Sequence, residues 1–260
     1  MSTPQPPPSP SATPPPTLAA LAGGGNAEAS LEAILGHADD NLILAQQLSG
    51  WIAAAPDLEL DLALGNIALD HLGVARALLA RYGELEGEGR TEDDLAMTRS
   101  EREFRNLLIC EQPNGDFGQT IARQLLVDCY QVDCWERLSA DSDPVVAGVA
   151  AKALLEARYH WRHSSTWAER LGAGTEESHR RMQLGLDAMT RFVDEMFDDF
   201  PDLRPSFDIR LAPVLADAGL ELANSPFPRR GGRHGLHTEH LGHLLADMQW
   251  MARSYPGAKW

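Results

Sequence analysis

Basic residues are scarce in this sequence of 260 residues, and no Lys or Arg precedes Arg76. The chain has 22 Lys and Arg against 38 Asp and Glu, which gives a formal net charge of -16. A protein of that charge repels nucleic acid and anionic lipid, so we expect neither as a partner. Because the N-terminus offers no positively charged region for a secretory signal peptide, we expect a cytoplasmic protein.

Cysteines and long apolar runs are also few. The chain has three cysteines, at positions 110, 129 and 134. Because their number is odd, we predict reduced thiols in the core. No run approaches the roughly 20 apolar residues that a membrane span needs. The sequence lacks a G-x-S-x-G motif, a C-x-x-C motif, a Walker A loop and any stretch of alternating β-branched residues. The missing motifs disfavour hydrolase, nucleotide-binding and dithiol chemistry. The lack of alternating β-branched residues indicates an all-α fold.

The N-terminal region differs in composition from the rest of the chain, with eight prolines among its first sixteen residues. This composition predicts a disordered tail over residues 1–28 and one helical domain over residues 29–260. The spacing of apolar residues in the domain predicts four long helices at 41–54, 57–82, 117–139 and 145–171. Further helices are predicted at 92–110, at 175–200, near 214–218 and from Thr238.

Polar side chains interrupt the apolar faces of the long helices. Asp128 lies on the apolar stripe of its helix, and Glu156 and His160 share the apolar face of the next one. In the helix at 57–82 the apolar residues surround the whole cylinder, and Asp70, with His71 beside it, is the candidate for a third inward acid. Inward acids with an imidazole indicate either a metal site or a buried polar network.

A ferritin-like di-iron site takes one carboxylate from each of two helices and a Glu-x-x-His pair from each of the other two. The first helix here offers Gln46 but no acid, and the second offers Asp70 in place of such a pair. The fourth helix places His160 four residues after Glu156, one residue later than the motif requires. We therefore favour a hydrogen-bonded or ion-paired network without metal. Its candidate counter-charges are Arg123, Lys152 and Arg158.

A histidine cluster near the C-terminus has the composition of a zinc site. His237, His240 and His243 are spaced three apart, but that spacing drifts around a helix and does not keep the imidazoles on one face. We therefore interpret this region as a contact surface for a neighbouring loop or subunit. The candidate interface residues are Arg233, His237, Glu239 and His240.

Four runs of residues resemble one known family. They are Leu60–Arg76, Glu111–Phe117, Glu156–His160 and Gly235–Gly242. In their length and order they resemble the C-type subunits of bacterial phenylacetyl-CoA epoxidases, the ring-oxygenating complexes of phenylacetate catabolism. The resemblance extends from about residue 35 to the C-terminus.

The resemblance implies a ferritin-like subunit that has lost its metal and pairs with a homologous A-type subunit that keeps the di-iron centre, as a dimer of heterodimers. It also implies a reductase with flavin and an iron–sulfur cluster, which passes electrons from NADPH for insertion of one oxygen atom into the ring of phenylacetyl-CoA. No metal or cofactor is expected in this chain. An arginine near the interface can meet a CoA phosphate. The candidate substrate or interface contacts are Glu103, Phe104, Arg105 and Asn106.

The preferred hypothesis is a non-catalytic structural subunit that stabilises the catalytic one. One alternative is an independent di-iron oxygenase or oxidase, and another is a helical scaffold or regulatory protein with no oxygenase partner. The metal content of the isolated chain separates the first two hypotheses. Co-purification with a second helical chain that carries Glu-x-x-His motifs separates the first from the third.

Overall fold

The computed structural model describes residues 25–258, with side chains from Leu31 onward. Within these residues the chain forms eight α-helices and no strand, so the predicted all-α class is confirmed. The helices are α1 (Gly25–Ser49), α2 (Leu58–Glu86), α3 (Glu92–Met97), α4 (Phe117–Leu138), α5 (Pro144–Gly172), α6 (Glu176–Met189), α7 (Arg204–Ala218) and α8 (Glu239–Ser254). The predicted tail lies outside the described residues, apart from residues 25–28, which begin α1.

The four long helices form the centre of the fold. α1 packs along α2, α4 packs along α5, and α2 contacts α5. α6 covers α4, α7 packs against α5 and α4, and α8 contacts α3 and α1. Buried aliphatic and aromatic side chains from these eight helices join in one large core. The polar residues at the centre of the bundle are therefore enclosed by apolar packing.

The helix boundaries follow from capping residues that the sequence displays. Asp57 accepts a hydrogen bond from the Leu60 amide at 2.8 Å and starts α2. Asp143 accepts one from the Val145 amide at 2.8 Å, and Pro144 occupies the first position of α5, where a missing N–H costs no helical hydrogen bond. Gly87, with φ of 78°, ends α2 in the left-handed conformation that favours glycine. The helices predicted at 57–82 and 145–171 thus begin within one residue of their predicted starts.

The predicted helix at 92–110 is wrong beyond Met97. α3 ends there, and after a 3-10 turn at Glu101–Glu103 the chain runs without regular helix to α4, although Phe104 is fully buried. Backbone N–H groups of this segment donate to buried carboxylates elsewhere in the chain and not to helical carbonyls. Asp39, Asp40 and Glu195 accept from the amides of residues 105, 107 and 108 at 2.7–2.8 Å. Apolar spacing alone does not reveal such partners.

Two other helix boundaries also differ from the prediction. The helix predicted at 175–200 is α-helical only to Met189 and continues as a 3-10 helix over Thr190–Phe197. α7 begins at Arg204, well before the predicted start near 214. Pro205 lies in the first turn of α7, where proline is tolerated.

The composition of α2 is close to that of a membrane span. By length and composition alone α2 is apolar enough to cross a bilayer, which differs from the expectation that no run approaches that length. Leu64, Val74 and Leu78 of this helix are buried in the bundle, as expected of the core helix of a helical domain. The opposite face of α2 carries exposed leucines, which form part of the surface groove between α1 and α2.

Candidate functional site

Side chains from three helices converge at the centre of the bundle. His71 of α2, Asp128 of α4 and His160 of α5 each present one potential ligand atom, and these atoms all lie within 4.8 Å of one another. The rings of His71 and His160 are 5.0 Å apart between centroids. All three side chains are buried, with 1–2% of each residue exposed. We call these three residues the central cluster.

Hydrogen bonds outside the central cluster fix both imidazoles. Nδ1 of His71 lies 2.8 Å from Oδ1 of Asn41, whose own amide nitrogen donates to the carbonyl of His37 at 2.8 Å. Because that amide oxygen can only accept, Nδ1 of His71 carries the proton. Nε2 of His160 lies 3.1 Å from Oδ2 of Asp70, so it donates to that carboxylate. The remaining ring nitrogens, Nε2 of His71 and Nδ1 of His160, both lack a proton when the rings are neutral.

Burial controls the charges in the central cluster. It lowers the pKa of His71 well below the ordinary value, and the neighbouring His160 and Arg123 act in the same direction, so this imidazole is neutral at physiological pH. Burial also raises the pKa of Asp128 to about 6, although His160, Ser164 and Arg123 oppose the rise. At neutral pH the cluster therefore combines the neutral imidazole of His71 with a largely ionised carboxylate of Asp128.

The structure places the sequence-predicted residues of the polar network at different depths. Asp128 and His160 are in the central cluster, whereas Asp70 lies at its rim with 35% of its side chain exposed. Glu156 is also at the rim, with 18% of its side chain exposed, and its carboxylate pairs with Lys152 at 2.6 Å. The inward residue of α2 is thus His71 and not Asp70.

Gln46 does not join the network. The residue of α1 that reaches the central cluster is Asn41, and five residues along a helix correspond to a rotation of about 140°. Gln46 therefore lines a groove on another face of α1. No local sequence signal distinguishes Asn41 from its neighbours Asp39 and Asp40, because all three residues are polar and all three are buried.

Of the three proposed counter-charges, only Lys152 pairs with a network residue. Arg123 is fully buried but donates to the carbonyl of Gln112 at 2.6 Å and to Oδ1 of Asn114 at 2.8 Å. Arg158 lies on the surface within 3.7 Å of Glu136. The carboxylate of Asp128 consequently has no ion-pair partner among the described residues, and its Oδ1 has no hydrogen-bond partner there either.

A groove of about 460 Å³ runs between α1 and α2 on the outside of the bundle. Leu58, Leu62, Leu69 and Leu72 form a stripe along α2, and Leu62 and Leu69 are 59% and 64% exposed. Ile52, which is 59% exposed, adds to the same apolar surface. Contiguous exposed apolar surface of this kind marks a contact site for protein or ligand. We call it the α1–α2 groove.

Comparison with known proteins agrees with this architecture. The profile of one family, described as phenylacetic acid catabolic protein, matches residues 22–260. The chain belongs to this family. One curated relative, the C subunit of 1,2-phenylacetyl-CoA epoxidase from Escherichia coli (strain K12), is 45% identical over 237 residues, covering 85% of this chain and 95% of the relative. The expected ferritin-like family and the link to phenylacetate catabolism are confirmed.

A ferritin-like bundle can house two irons, but the potential metal ligands of this chain do not fit a di-iron centre. Two irons need four carboxylates and two histidines, supplied as single carboxylates from two helices and Glu-x-x-His pairs from the others. The central cluster receives one inward side chain from each of α2, α4 and α5, and Asp128 is its one carboxylate. Glu156, a further acid on α5, lies at the rim and pairs with Lys152 through Oε1. Among its described residues, this member of the phenylacetic acid catabolic protein family thus lacks the ligands of a di-iron centre.

The segment expected to contact CoA or a partner is largely committed to contacts within the chain. Phe104 and Asn106 are fully buried, and the Asn106 amide donates to Oε2 of Glu111 at 2.9 Å. Glu103 accepts from the amide and hydroxyl of Ser100 at 2.8 and 2.6 Å. Arg105 donates to Glu32 at 2.7 Å. Phe104 and Asn106 are therefore enclosed in the single chain, and contact of this segment with substrate or a partner stays a prediction.

Arg233 is also used inside the fold. Its guanidinium donates to both carboxylate oxygens of Asp40 at 2.8 and 2.9 Å, and its Nε donates to Asp199 at 2.9 Å. Its side chain is only 11% exposed. Arg233 therefore has a structural role within the chain, and its contact with a partner stays a prediction.

His237 precedes α8 and is enclosed by the loop that leads to α4. Its Nδ1 lies 2.8 Å from Oε2 of Glu111, and its Nε2 lies 3.0 Å from the carbonyl of Phe104. Thr238 donates from its amide and hydroxyl to the same Glu111 carboxylate at 2.6 and 2.8 Å. His237 therefore contacts a neighbouring loop, and its side chain is buried in the single chain. Glu239 and His240 remain at least partly exposed.

Replacing His237 by glutamine is expected to remove a pH-dependent part of the stability. Burial lowers the pKa of His237, but the hydrogen bond and the charge of Glu111 outweigh it, and the pKa is raised above its ordinary value. The native state then binds this proton more tightly than the unfolded chain does. The stabilisation is therefore complete below the unfolded pKa of about 6.5 and is lost as the pH rises through the native pKa.

Urea unfolding of the wild type and of His237→Gln between about pH 6 and pH 9 measures this effect. The difference in the free energy of unfolding should shrink as the pH rises. The variant His243→Gln, at an exposed position of α8, serves as the control and should show no such trend. A difference that grows with pH would contradict the prediction.

Proposed function

We propose that this chain is the structural, non-catalytic subunit of a cytoplasmic phenylacetyl-CoA monooxygenase (epoxidase) of aerobic phenylacetate degradation. The observation that carries the proposal is the donor set at the centre of the bundle. Four long helices meet as they do in di-iron proteins, but the donors that converge are two imidazoles and a single carboxylate. Oxygen activation then falls to a homologous A-type subunit that keeps its di-iron centre, and this chain stabilises that subunit.

The name of the E. coli relative supports the same assignment, since that protein is the C subunit of a phenylacetyl-CoA epoxidase. A reductase that carries flavin and an iron–sulfur cluster would deliver electrons from NADPH to the catalytic subunit. The two homologous chains would assemble as a dimer of heterodimers, with phenylacetyl-CoA bound near their interface. No cofactor for oxygen chemistry belongs to this chain in the proposal.

The α1–α2 groove is our candidate for the surface that binds the catalytic subunit. Leu62 and Leu69 are seven residues apart on α2, so they lie on one face two turns from each other. A homologous bundle can place an equivalent apolar face against this one, as the subunits of pseudo-symmetric dimers do. Burial of the leucines would remove apolar area from water and supply association free energy.

Co-expression with a tagged A-type subunit tests the proposal. The variants Leu62→Arg and Leu69→Arg should each abolish co-purification, because an arginine in the apolar centre of the interface would be buried without a partner. Both positions are exposed in the single chain, so the thermal unfolding of the variants should match the wild type. Ile209→Arg on α7, at a residue that is 76% exposed, is the matched control and should co-purify normally.

Activity measurements separate the proposed role from an independent oxygenase. The complete complex with reductase, NADPH and phenylacetyl-CoA should consume substrate, and omission of this chain should reduce turnover. This chain with reductase alone should give no oxygenated product. Product formation without the A-type subunit, or normal co-purification of both groove variants, would refute the proposal.

A further inference from the structure

The central cluster leaves three potential ligand atoms without a partner. Nε2 of His71, Nδ1 of His160 and Oδ1 of Asp128 make no hydrogen bond to any of the residues that the structure describes. A buried carboxylate and two buried ring nitrogens that lack partners cost several kcal/mol, unless some other group satisfies them. The three residues bring their ligand atoms within 4.8 Å of one another, so one small group can satisfy all of them.

The chemistry of these atoms selects a cation. Asn41 and Asp70 hold the protons of His71 and His160 on Nδ1 and Nε2, respectively, so the second nitrogen of each neutral ring carries a lone pair. Oδ1 of Asp128 adds a further acceptor, which makes no hydrogen bond to the described residues. Three acceptors that converge in an enclosed space repel one another and attract a positive ion.

The hydrogen bonds outside the cluster are those of a metal site. A histidine that binds a metal through one nitrogen almost always donates the other N–H to a carboxylate, a carbonyl or water, which fixes the ring. His160 donates to the carboxylate of Asp70 at 3.1 Å, and His71 donates to the amide oxygen of Asn41 at 2.8 Å. Each ring is thus fixed by a hydrogen bond at one nitrogen, and its other nitrogen is buried without a partner among the described residues.

A small void borders two members of the cluster. It has a volume of about 10 Å³, and His71, His160, Asp70 and Glu156 are among the residues that line it. Those two acids are partly exposed between α2 and α5. A void of this size has room for about one water molecule, which can complete the coordination of an ion.

We propose that His71, Asp128 and His160 bind one divalent transition-metal ion of the zinc type, with water as a further ligand. Two nitrogens and one carboxylate oxygen form a donor set that Zn²⁺ and its first-row neighbours prefer over Mg²⁺ or Ca²⁺. Ligand distances of about 2.0–2.1 Å place the donors roughly 3.4 Å apart, so side-chain shifts of about 1 Å close the cluster around the ion. The ion cross-links α2, α4 and α5 without redox chemistry.

This inference concerns the chain by itself and does not depend on the proposed partner. Its test uses the purified full chain after treatment with a chelator, with Co²⁺ and Zn²⁺ as the probes. We expect one equivalent of Co²⁺ to bind, with the visible absorption of a four- or five-coordinate ion, and Zn²⁺ to displace it. Zn²⁺ should also raise the thermal unfolding temperature, because the ion binds only the native arrangement.

Two variants test the assignment of ligands. Asp128→Asn removes the charge at nearly constant shape, and His71→Leu removes one nitrogen; each should weaken Zn²⁺ binding by at least about 100-fold and abolish the Co²⁺ spectrum. His163→Gln, on α5 but outside the cluster, and His243→Gln, on the surface, are the controls and should bind as the wild type does. A thermal unfolding curve of each metal-free variant shows that it is folded.

The outcomes distinguish this inference from the proposed function. Absence of a Co²⁺ spectrum in the wild type, or an unchanged spectrum in Asp128→Asn and His71→Leu, overturns the metal site and leaves the co-purification test as it was. A loss of binding in the His243 control assigns the ion to the surface and likewise overturns the site. Two irons per chain would refute both the single-ion site and the non-catalytic role.

Discussion

Replacement of Arg99 by methionine is expected to lower the free energy of unfolding by about 3–5 kcal/mol. The guanidinium of Arg99 donates to both carboxylate oxygens of Asp39 at 2.9 and 2.5 Å, and the two side chains are only 2% and 0% exposed. Methionine fills much of the same space but supplies no charge. Asp39 is then an unpaired carboxylate away from water, with the Arg105 amide at 2.8 Å as a remaining donor.

Arg99 also holds the non-helical segment that follows α3. It donates to the carbonyl of Glu103 at 3.1 Å, and its guanidinium lies 4.2 Å from the centroid of the Phe104 ring. Its backbone carbonyl accepts from Gln249 of α8 at 3.0 Å. The variant should therefore loosen the segment between α3 and α4 as well as destabilise the whole chain, and hydrogen exchange should report faster exchange there.

Urea unfolding at neutral pH measures the effect, with Arg76→Met as the matched control. Arg76 pairs with Glu92 at 3.3 Å on the surface, with 67% of its side chain exposed, so its replacement should cost less than about 0.5 kcal/mol. The double variant Arg99→Met/Asp39→Leu should recover part of the loss, because no unpaired charge remains. A cost below about 1 kcal/mol for Arg99→Met would show that the pair is not buried as described.

The segment after α3 shows where sequence-based prediction of this fold ends. The long helices could be predicted because their apolar spacing and their caps, such as Asp57 and Asp143, are local signals. The chain between α3 and α4 has helical apolar spacing too, but its amides donate to carboxylates that are distant in sequence. Arg233 and Asp40, which pair across 193 residues, illustrate the same limit. Such partners are set by the tertiary fold, and no local pattern encodes them.

The central cluster is only partly predictable for a related reason. α4 and α5 have one apolar face each, so Asp128 and His160 can be recognised on it. α2 is apolar on most of its surface, because one side meets the bundle and the other carries the exposed leucines. Its periodicity therefore gives no inward direction and does not distinguish His71 from Asp70. Asn41 has no distinguishing spacing at all, and only the hydrogen bond to His71 reveals it.

Glu195 is a large contributor to the fold that no sequence pattern indicates. Its carboxylate is 1% exposed and accepts hydrogen bonds from three backbone amides. The donors are Leu108 at 2.7 Å, Gly231 at 2.7 Å and Gly232 at 2.8 Å. One side chain thus joins the segment before α4 to the loop before α8. The two segments lie so close together that a Cβ on Gly232 would be 2.1 Å from the backbone oxygen of Asn106, so this position requires glycine.

Replacement of Glu195 by alanine is therefore expected to lower the free energy of unfolding by about 3 kcal/mol or more, since three buried amides lose their acceptor at about 1–3 kcal/mol each. Glu195→Gln should cost less, because its amide oxygen still accepts while its NH₂ group faces other donors. The neighbouring Asp194→Ala is the matched control: Asp194 pairs with Arg204 at 2.9 Å with 43% of its side chain exposed, and its loss should cost at most about 1 kcal/mol. Urea unfolding of the three variants should give the largest cost for Glu195→Ala, a smaller one for Glu195→Gln and the smallest for the control. Equal costs for Glu195→Ala and Asp194→Ala would contradict the role of the buried carboxylate.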